Sequence, residues 1–326
     1  MTRTQAASVS VLDPALDLDE REQKELHSLA DRLSKVSPGL LDDPTWLAAA
    51  SAYSCRIPVR LREALRLFRS DPGPNGLLRV RGLPAESARP TPMVKDSVER
   101  ATTVPAAALI LCATALGEVV GFRSEKSGAA VQNVVPVPGR ERSQSNAGSR
   151  TLEMHVENAF HPHRPDLVAL SCLRTDHDGI GGLQIASVRA ALGRVAREHR
   201  RVLAEPRFRT DPPPSFGGAG QAVVHSVLTG ADDDPDVRVD FASTRPLDDE
   251  AATAMEELRD ALCSVRTTVV LAPGDLAIVD NRIALHGRTA FTPRYDGRDR
   301  WLQRAFVHLD PRRSRPARTY NGHVLD

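Results

Sequence analysis

The stretch "TTVVLAPGDLAIVDNRIALHGRTAFTPRYDGRDRWLQRAFVHL", residues 267–309, decides the fold. It holds three short apolar, β-branched runs, at 267–272, 275–280 and 301–309, separated by Pro, Gly, Asn and Asp. Runs of that length bounded by turn formers read as strands. Similar runs precede it at 129–137, 166–173, 221–228 and 237–242. Strand and helix do not alternate in a βαβ rhythm and no GxGxxG occurs, which argues against a nucleotide-binding parallel sheet. The first third carries apolar residues at helical spacing over 19–36, 43–54 and 59–70. A turn and short strand follow at 73–84, then a helix over roughly 101–120, and two later helices at about 187–204 and 248–266. Many short strands with grouped helices predict an α+β fold whose core is a double-stranded β-helix, the jelly roll, flanked by helices. The expectation is a single domain spanning residues 1–326. It comprises a helical part over about 1–72, a jelly-roll core over about 73–310, and a lid loop where Pro and Gly cluster at 205–221.

Composition narrows the function. A formal net charge of +1 gives no electrostatic reason to expect nucleic acid. The basic run "PRRSRPAR" (311–318) reads as a solvated tail. Four widely separated cysteines without CxxC spacing fit small buried side chains in a reducing compartment. The N-terminus has no apolar signal core, and the most apolar window, 104–116, is too short to span a bilayer. These features predict a cytoplasmic protein with no membrane or nucleic-acid partner, and a monomer is expected.

The chemistry concentrates in "LEMHVENAFHPHRPD" (152–166), with His155, His161, His163 and Glu157. His-x-Asp/Glu alone is weak: it also occurs at His308–Asp310, and chance supplies about one such match. On a strand, residues two apart share a face, so His155 and Glu157 are able to meet at one ion. Two imidazoles and a carboxylate suit iron(II) with open positions. The third ligand must come from afar, and His286 follows a strand. Arg300 and Arg304 lie beyond it on a strand face shared with Leu302 and Phe306. Two inward arginines are costly unless each meets a carboxylate, and arginine grips carboxylates bidentately.

These segments, together with 124–139 and 143–176, resemble the clavaminate synthase-like iron(II)/2-oxoglutarate oxygenases, especially the free amino-acid β-hydroxylases of nonribosomal peptide pathways. The resemblance covers most of the chain from about residue 73. It implies iron held by His155, Glu157 and His286, with 2-oxoglutarate and dioxygen as co-substrates. It implies Arg300 on the distal carboxylate of 2-oxoglutarate and Arg304 on the substrate's α-carboxylate. Glu125 and Asn146 match positions that contact the amino acid, and Asp240 matches an aspartate that accepts from a side-chain amide. His161 and His163 match variable positions. The implied reaction is hydroxylation at C3 of a free L-amino acid, L-asparagine first, yielding succinate and carbon dioxide. Members acting on arginine carry two acidic residues two positions apart. Here Ala242 follows Asp240, and one carboxylate suits an amide NH2 better than a five-donor guanidinium. Glutamine and lysine stay open. The retained Glu157 argues against a halogenase. A zinc hydrolase with Glu157 as general base, or a non-catalytic jelly-roll binding protein, leaves Arg300 and Arg304 without a role.

Overall fold

A computed structural model describes residues 15–85, 88–213, 216 and 222–326. Strand β1 (Ala15–Asp17) is followed by helices α1 (Glu20–Ser34), α2 (Pro44–Ser54) and α3 (Val59–Ser70). Each of the first two begins where the sequence dictates. Asp19 and Glu22 form a reciprocal capping box at α1, and Asp43 caps α2 ahead of Pro44. Strands β2 (Leu77–Arg81) and β3 (Val98–Glu99) lead to α4 (Val104–Leu116), capped by Thr103. That helix ends at Gly117, so the stretch expected to stay helical to about 120 instead enters strand β4 (Glu118–Phe122).

The remaining chain is strand-rich. Strands β5 (Val131–Val134), β6 (Leu152–His155), β7 (Leu167–Arg174) and β8 (Leu183–Ser187) precede α5 (Val188–Ala191) and α6 (Arg197–Leu203). The single helix expected over 187–204 is thus broken: a turn at 192–194 leads into extended backbone at Val195. Then come β9 (Phe208–Thr210), β10 (Val224–His225), β11 (Leu228–Ala231), β12 (Asp234–Val237) and β13 (Thr244–Pro246). Helix α7 (Asp249–Val265), capped by Asp248, and strands β14 (Thr267–Val269), β15 (Asp275–Asp280), β16 (Ala284–Arg288), β17 (Trp301–His308) and β18 (Val324–Leu325) complete it.

The major sheet runs β1-β2-β15-β7-β17-β4-β18, with β5 also on β17 and β3 on β5. The minor sheet runs β14-β8-β16-β6, antiparallel throughout. The two sheets share one apolar core. Val168, Leu170, Leu302 and Phe306 from the major sheet meet Leu183, Ile185 and Ala284 from the minor one. Neighbouring residues on the same strands, Ala169, Ala305 and Val307, turn outward beneath α1–α4. Ala186 and Leu285 likewise turn outward beneath α5–α7. The order is helices, sheet, sheet, helices, an α+β architecture in which period-two alternation decides which layer each side chain joins.

Four further expectations are corrected. Residues 237–242 are not a strand: β12 ends at Val237, and Asp240 instead folds a turn, its carboxylate accepting from Ala242 N–H at 2.8 Å and Ser243 Oγ at 2.7 Å. The basic C-terminal run is not a free tail. Arg313 pairs with Asp166 at 2.8 Å, Arg318 is buried, and β18 pairs in parallel with β4. Of the four free cysteines, Cys55 and Cys263 are exposed, so only Cys112 and Cys172 act as small core side chains. The expected lid at 205–221 lies in part outside the described residues; within them, Phe208–Thr210 is strand rather than loop. Among the described residues no helix is long and apolar enough to cross a membrane.

Candidate active site

Strands β6 and β16 pair antiparallel with His155 directly opposite His286. Cross-strand partners face the same side, so both imidazoles turn to the space between the sheets, their ring centroids 4.4 Å apart. His286 is on a strand and not after one, and Glu157 is not on a strand: β6 ends at His155, and the chain turns to bring the carboxylate round. Glu157 Oε2 lies 3.5 Å from His286 Nε2, and donor atoms of all three residues fall within 4.8 Å of one another. His155 Nδ1 donates to the Glu153 carbonyl at 2.8 Å, which fixes the tautomer and leaves Nε2 as the donor atom. Burial, reinforced by the neighbouring His155, holds the His286 imidazole below its usual range, in the neutral form a metal binds. Two imidazoles and one carboxylate from three backbone positions fit a divalent iron with open positions.

Glu157 is held by its backbone. Asn281, fully buried, accepts from the Glu157 N–H at 2.6 Å and donates to the carbonyls of Glu157 at 3.1 Å and Pro165 at 2.8 Å. Its carboxylate meets Arg304 Nη1 at 2.8 Å. Burial alone would raise this carboxyl, but Arg304 and then His286 outweigh it and keep Glu157 ionised.

Arg304 is the hub of the polar cluster. Its Nη2 also donates to Glu125 and to Gln132 Oε1, and with the Asn146 amide oxygen turned towards it, Asn146 accepts from both Nη atoms at 3.0 and 3.1 Å. Only its Nε lacks a partner. Glu125 also accepts from Asn158 Nδ2 at 3.3 Å. Burial raises the Glu125 carboxyl, opposed by Arg304 and assisted by the nearby Glu157 charge.

Asp240 joins the cluster through the backbone, forming a β-bridge with His155, while Val156 N–H donates to the Val239 carbonyl at 2.9 Å. A cavity of about 950 Å³ is lined by Glu125, Asn146, His155, Glu157 and Asp240, and by Phe216 from the expected lid. Phe216 packs edge-on against Phe160, ring centroids 4.7 Å apart.

Arg300 stands apart from that cavity, just before β17 begins. It is buried, donates from Nε to the Gly181 carbonyl at 3.1 Å, and lies 5.8 Å from the Phe291 ring centroid. Asp176 caps this loop by accepting from Ile180 and Gly181 N–H, at 3.0 and 2.8 Å. His161 and His163 lie away from the three donors: His161 packs edge-on against Phe122 at 4.9 Å, and the His163 carbonyl faces His308 Nε2 at 3.1 Å. His308 is buried in that contact while Asp310 is exposed, so the second His-x-Asp triplet converges on nothing.

The profile of the taurine catabolism dioxygenase TauD, TfdA family matches residues 100–306. The L-asparagine oxygenase of Streptomyces coelicolor is 47% identical over 328 residues, 100% of this chain and 98% of that protein. The chain belongs to the TauD/TfdA dioxygenase family. Clavaminate synthase 2 of Streptomyces clavuligerus is 33% identical, covering 88% of this chain and 90% of that protein. A solved asparagine oxygenase, in complex with Fe(II), 2S,3S-3-hydroxyasparagine and succinate, superposes with a TM-score of 0.93 at 47% identity, over 95% of this chain and 98% of that one.

Within this TauD/TfdA dioxygenase, several residues of the site carried no signal in the sequence reading. Gln132, Asn158, Asn281 and Ser243 are single polar residues in no recognisable spacing. Gln132 had a trace of one: it sits in an apolar β-branched run, where a buried amide needs a partner.

Proposed function

We propose that the chain is an iron(II)- and 2-oxoglutarate-dependent hydroxylase acting at C3 of free L-asparagine, with succinate and carbon dioxide as co-products. The observation that carries the proposal is the convergence of His155, Glu157 and His286 beside Asp240, in a chain 47% identical to an L-asparagine oxygenase. In this reading His155, Glu157 and His286 hold the metal. Bound iron and 2-oxoglutarate supply the oxidising power that an unactivated C–H bond requires.

The protein's own work is positioning. Arg300 takes the distal carboxylate of 2-oxoglutarate. The amino-acid zwitterion inserts into the Glu125–Arg304 pair, its ammonium on Glu125 and its carboxylate on Arg304, exchanging one ion pair for two, with Asn146 completing the contact. Asp240 already receives one donor on each oxygen from its own turn. The one acceptor site left on each oxygen suits an amide NH2, whereas a guanidinium with five donors would leave at least three of them without an acceptor there. We further read the two-sheet core as a jelly roll and the whole chain as a single domain.

The test is a screen of the twenty common amino acids for substrate-dependent succinate release with iron and, separately, with zinc. The expected result is release with asparagine and iron only, and a product one oxygen atom heavier. Glutamine or lysine as the preferred substrate would move the assignment within the same chemistry. Turnover with zinc and no consumption of 2-oxoglutarate would overturn it.

A further inference from the structure

Arg288 is the second of two buried cations that the site leaves without a counter-charge. It lies on β16 two residues beyond His286, on the face that turns between the sheets. Arg288 is 4% exposed and Arg300 is 6% exposed. Among the described residues neither has a carboxylate within ion-pair distance, whereas Arg304 has two. Arg288 makes one hydrogen bond, from Nη2 to the Arg150 carbonyl at 3.1 Å, and its Nε has no partner. The ring of Phe291 serves both guanidinium groups, with centroid distances of 5.5 Å to Arg288 and 5.8 Å to Arg300. A desolvated, unpaired guanidinium is costly, and two that repel each other cost more. An anion of more than one negative charge, with a carboxylate able to lie between two forks, relieves both.

We propose that Arg288 is a binding residue for 2-oxoglutarate, closing with Arg300 on its distal carboxylate as a two-arginine clamp that selects dicarboxylate over monocarboxylate 2-oxo acids. The inference rests on the co-substrate assigned above and adds the residue that discriminates chain termini. A carboxylate between two guanidinium groups has enough lone pairs for both, while a methyl terminus leaves both charges buried and bare.

The experiment is calorimetric titration of the full-length, manganese-loaded protein with 2-oxoglutarate and with 2-oxobutyrate, which lacks the distal carboxylate. For Arg288→Met, Kd for 2-oxoglutarate is expected to rise at least tenfold while Kd for 2-oxobutyrate stays within twofold. Arg288→Lys, which restores a charge but not the fork, is expected to fall between wild type and Arg288→Met. The melting temperature of ligand-free Arg288→Met is expected to be no lower than wild type, because an unpaired buried charge has been removed.

An equal loss for both acids, or no loss for 2-oxoglutarate, overturns the clamp and leaves Arg288 as a support for the chain at Arg150. Should Arg288→Met not fold, Arg288→Lys carries the test alone: a rise confined to 2-oxoglutarate supports the clamp, and any other pattern refutes it. A wild-type protein that binds no 2-oxoglutarate overturns the co-substrate reading itself, a result distinct from failure of the clamp.

Discussion

Replacing Asn281 with alanine tests whether the metal site is built by the backbone as much as by its ligands. The side chain is fully buried and makes three hydrogen bonds, two of them to the peptide groups of Glu157. Its removal strands one N–H and two carbonyls. A buried polar group left unpaired costs about 1–3 kcal/mol, so the gross loss lies at roughly 3–9 kcal/mol. The vacated volume is large enough for a water that re-pairs part of it, which brings the expected destabilisation down to about 3 kcal/mol. The same change releases Glu157 from its fixed turn, and loss of an outer partner of a metal ligand weakens metal binding about 10- to 100-fold. Urea denaturation of the metal-free protein measures the first quantity, and manganese affinity by chelator competition measures the second. Asn281→Asp keeps the acceptor for the Glu157 N–H but turns an oxygen against two carbonyls, so it is expected to bind metal no better than Asn281→Ala. A variant destabilised by about 3 kcal/mol that kept wild-type metal affinity would confine Asn281 to stability. Wild-type stability together with wild-type metal affinity would refute the role assigned to Asn281 altogether.

Three further perturbations address other parts of the site. Asp240→Asn removes the charge proposed to face the substrate amide, a contact worth about 1.5–3 kcal/mol, so kcat/KM for asparagine is expected to fall roughly 10- to 150-fold while aspartate turnover rises; an unchanged preference removes Asp240 from its role. At Gly287 an added Cβ would sit 2.7 Å from the Leu152 carbonyl and 3.0 Å from Met154 Sδ. Gly287→Ala is therefore expected to pry β6 from β16, separating His155 from His286 and weakening manganese binding about tenfold with the circular dichroism spectrum retained. His225 is buried, with Nε2 2.8 Å from Thr210 Oγ1, and burial pushes its imidazole down to about 4. Between about 6.5 and about 4 the unfolded chain binds a proton that the folded chain refuses, so stability is complete above that window and falls as pH drops through it. The His225 share of the fall is expected to be about 1–2 kcal/mol in metal-free protein, discounted for partial solvent access, and His225→Gln should reduce the fall by that share while His161, depressed to about 4 as well, keeps part of it; an unchanged urea midpoint across that range in wild type would contradict the burial argument.

Where one face of a strand is buried in each of two different layers, the sequence was easy to read. Around Leu302 and Phe306 the alternation with Ala305 and Val307 is that of a strand between the inter-sheet core and the helix layer. Reading failed where that contrast vanished. Every residue of β8 is buried, so "LQIAS" offers no alternation and was not read as a strand. Strand β4 merged with α4 because apolar residues continue across Gly117, where only the helix ends. The opposite error arose at 237–242, which alternates like a strand but has Asp240 and Ser243 able to bond each other, and local side-chain hydrogen bonds won over a ladder. Among the site residues, His155 and His286 are far apart in sequence, and only a paired register puts them face to face. Glu157 reaches them for a reason the same-face argument did not contain: a turn beyond the strand, held by Asn281. Asn281 and Arg288 were invisible for a common reason. Each is one polar residue whose meaning lies in what surrounds it after folding.

The placement of charge explains how one interior accommodates reactants of different kinds. Arg304 is flanked by Glu125 and Glu157, so cation and anion stand side by side there and favour a zwitterion, which leaves the balance unchanged when it inserts. Arg288 and Arg300 are unmatched, so their surroundings favour a dianion and penalise a zwitterion whose ammonium would add a third cation. In the proposed reading, the amino acid and the oxo acid therefore do not compete for one place, although both present carboxylates. In the proposed reading, Asp240 adds the last discrimination at the far end of the amino acid. Its two oxygens are each already committed to a donor of its own turn, and Ala242 offers no second carboxylate. A guanidinium arriving there would bury donors that nothing accepts, at a cost of about 1–3 kcal/mol for each, whereas a terminal amide presents its NH2 to Asp240 and leaves no charge behind. Selection between asparagine and arginine thus follows from what the site would leave unpaired.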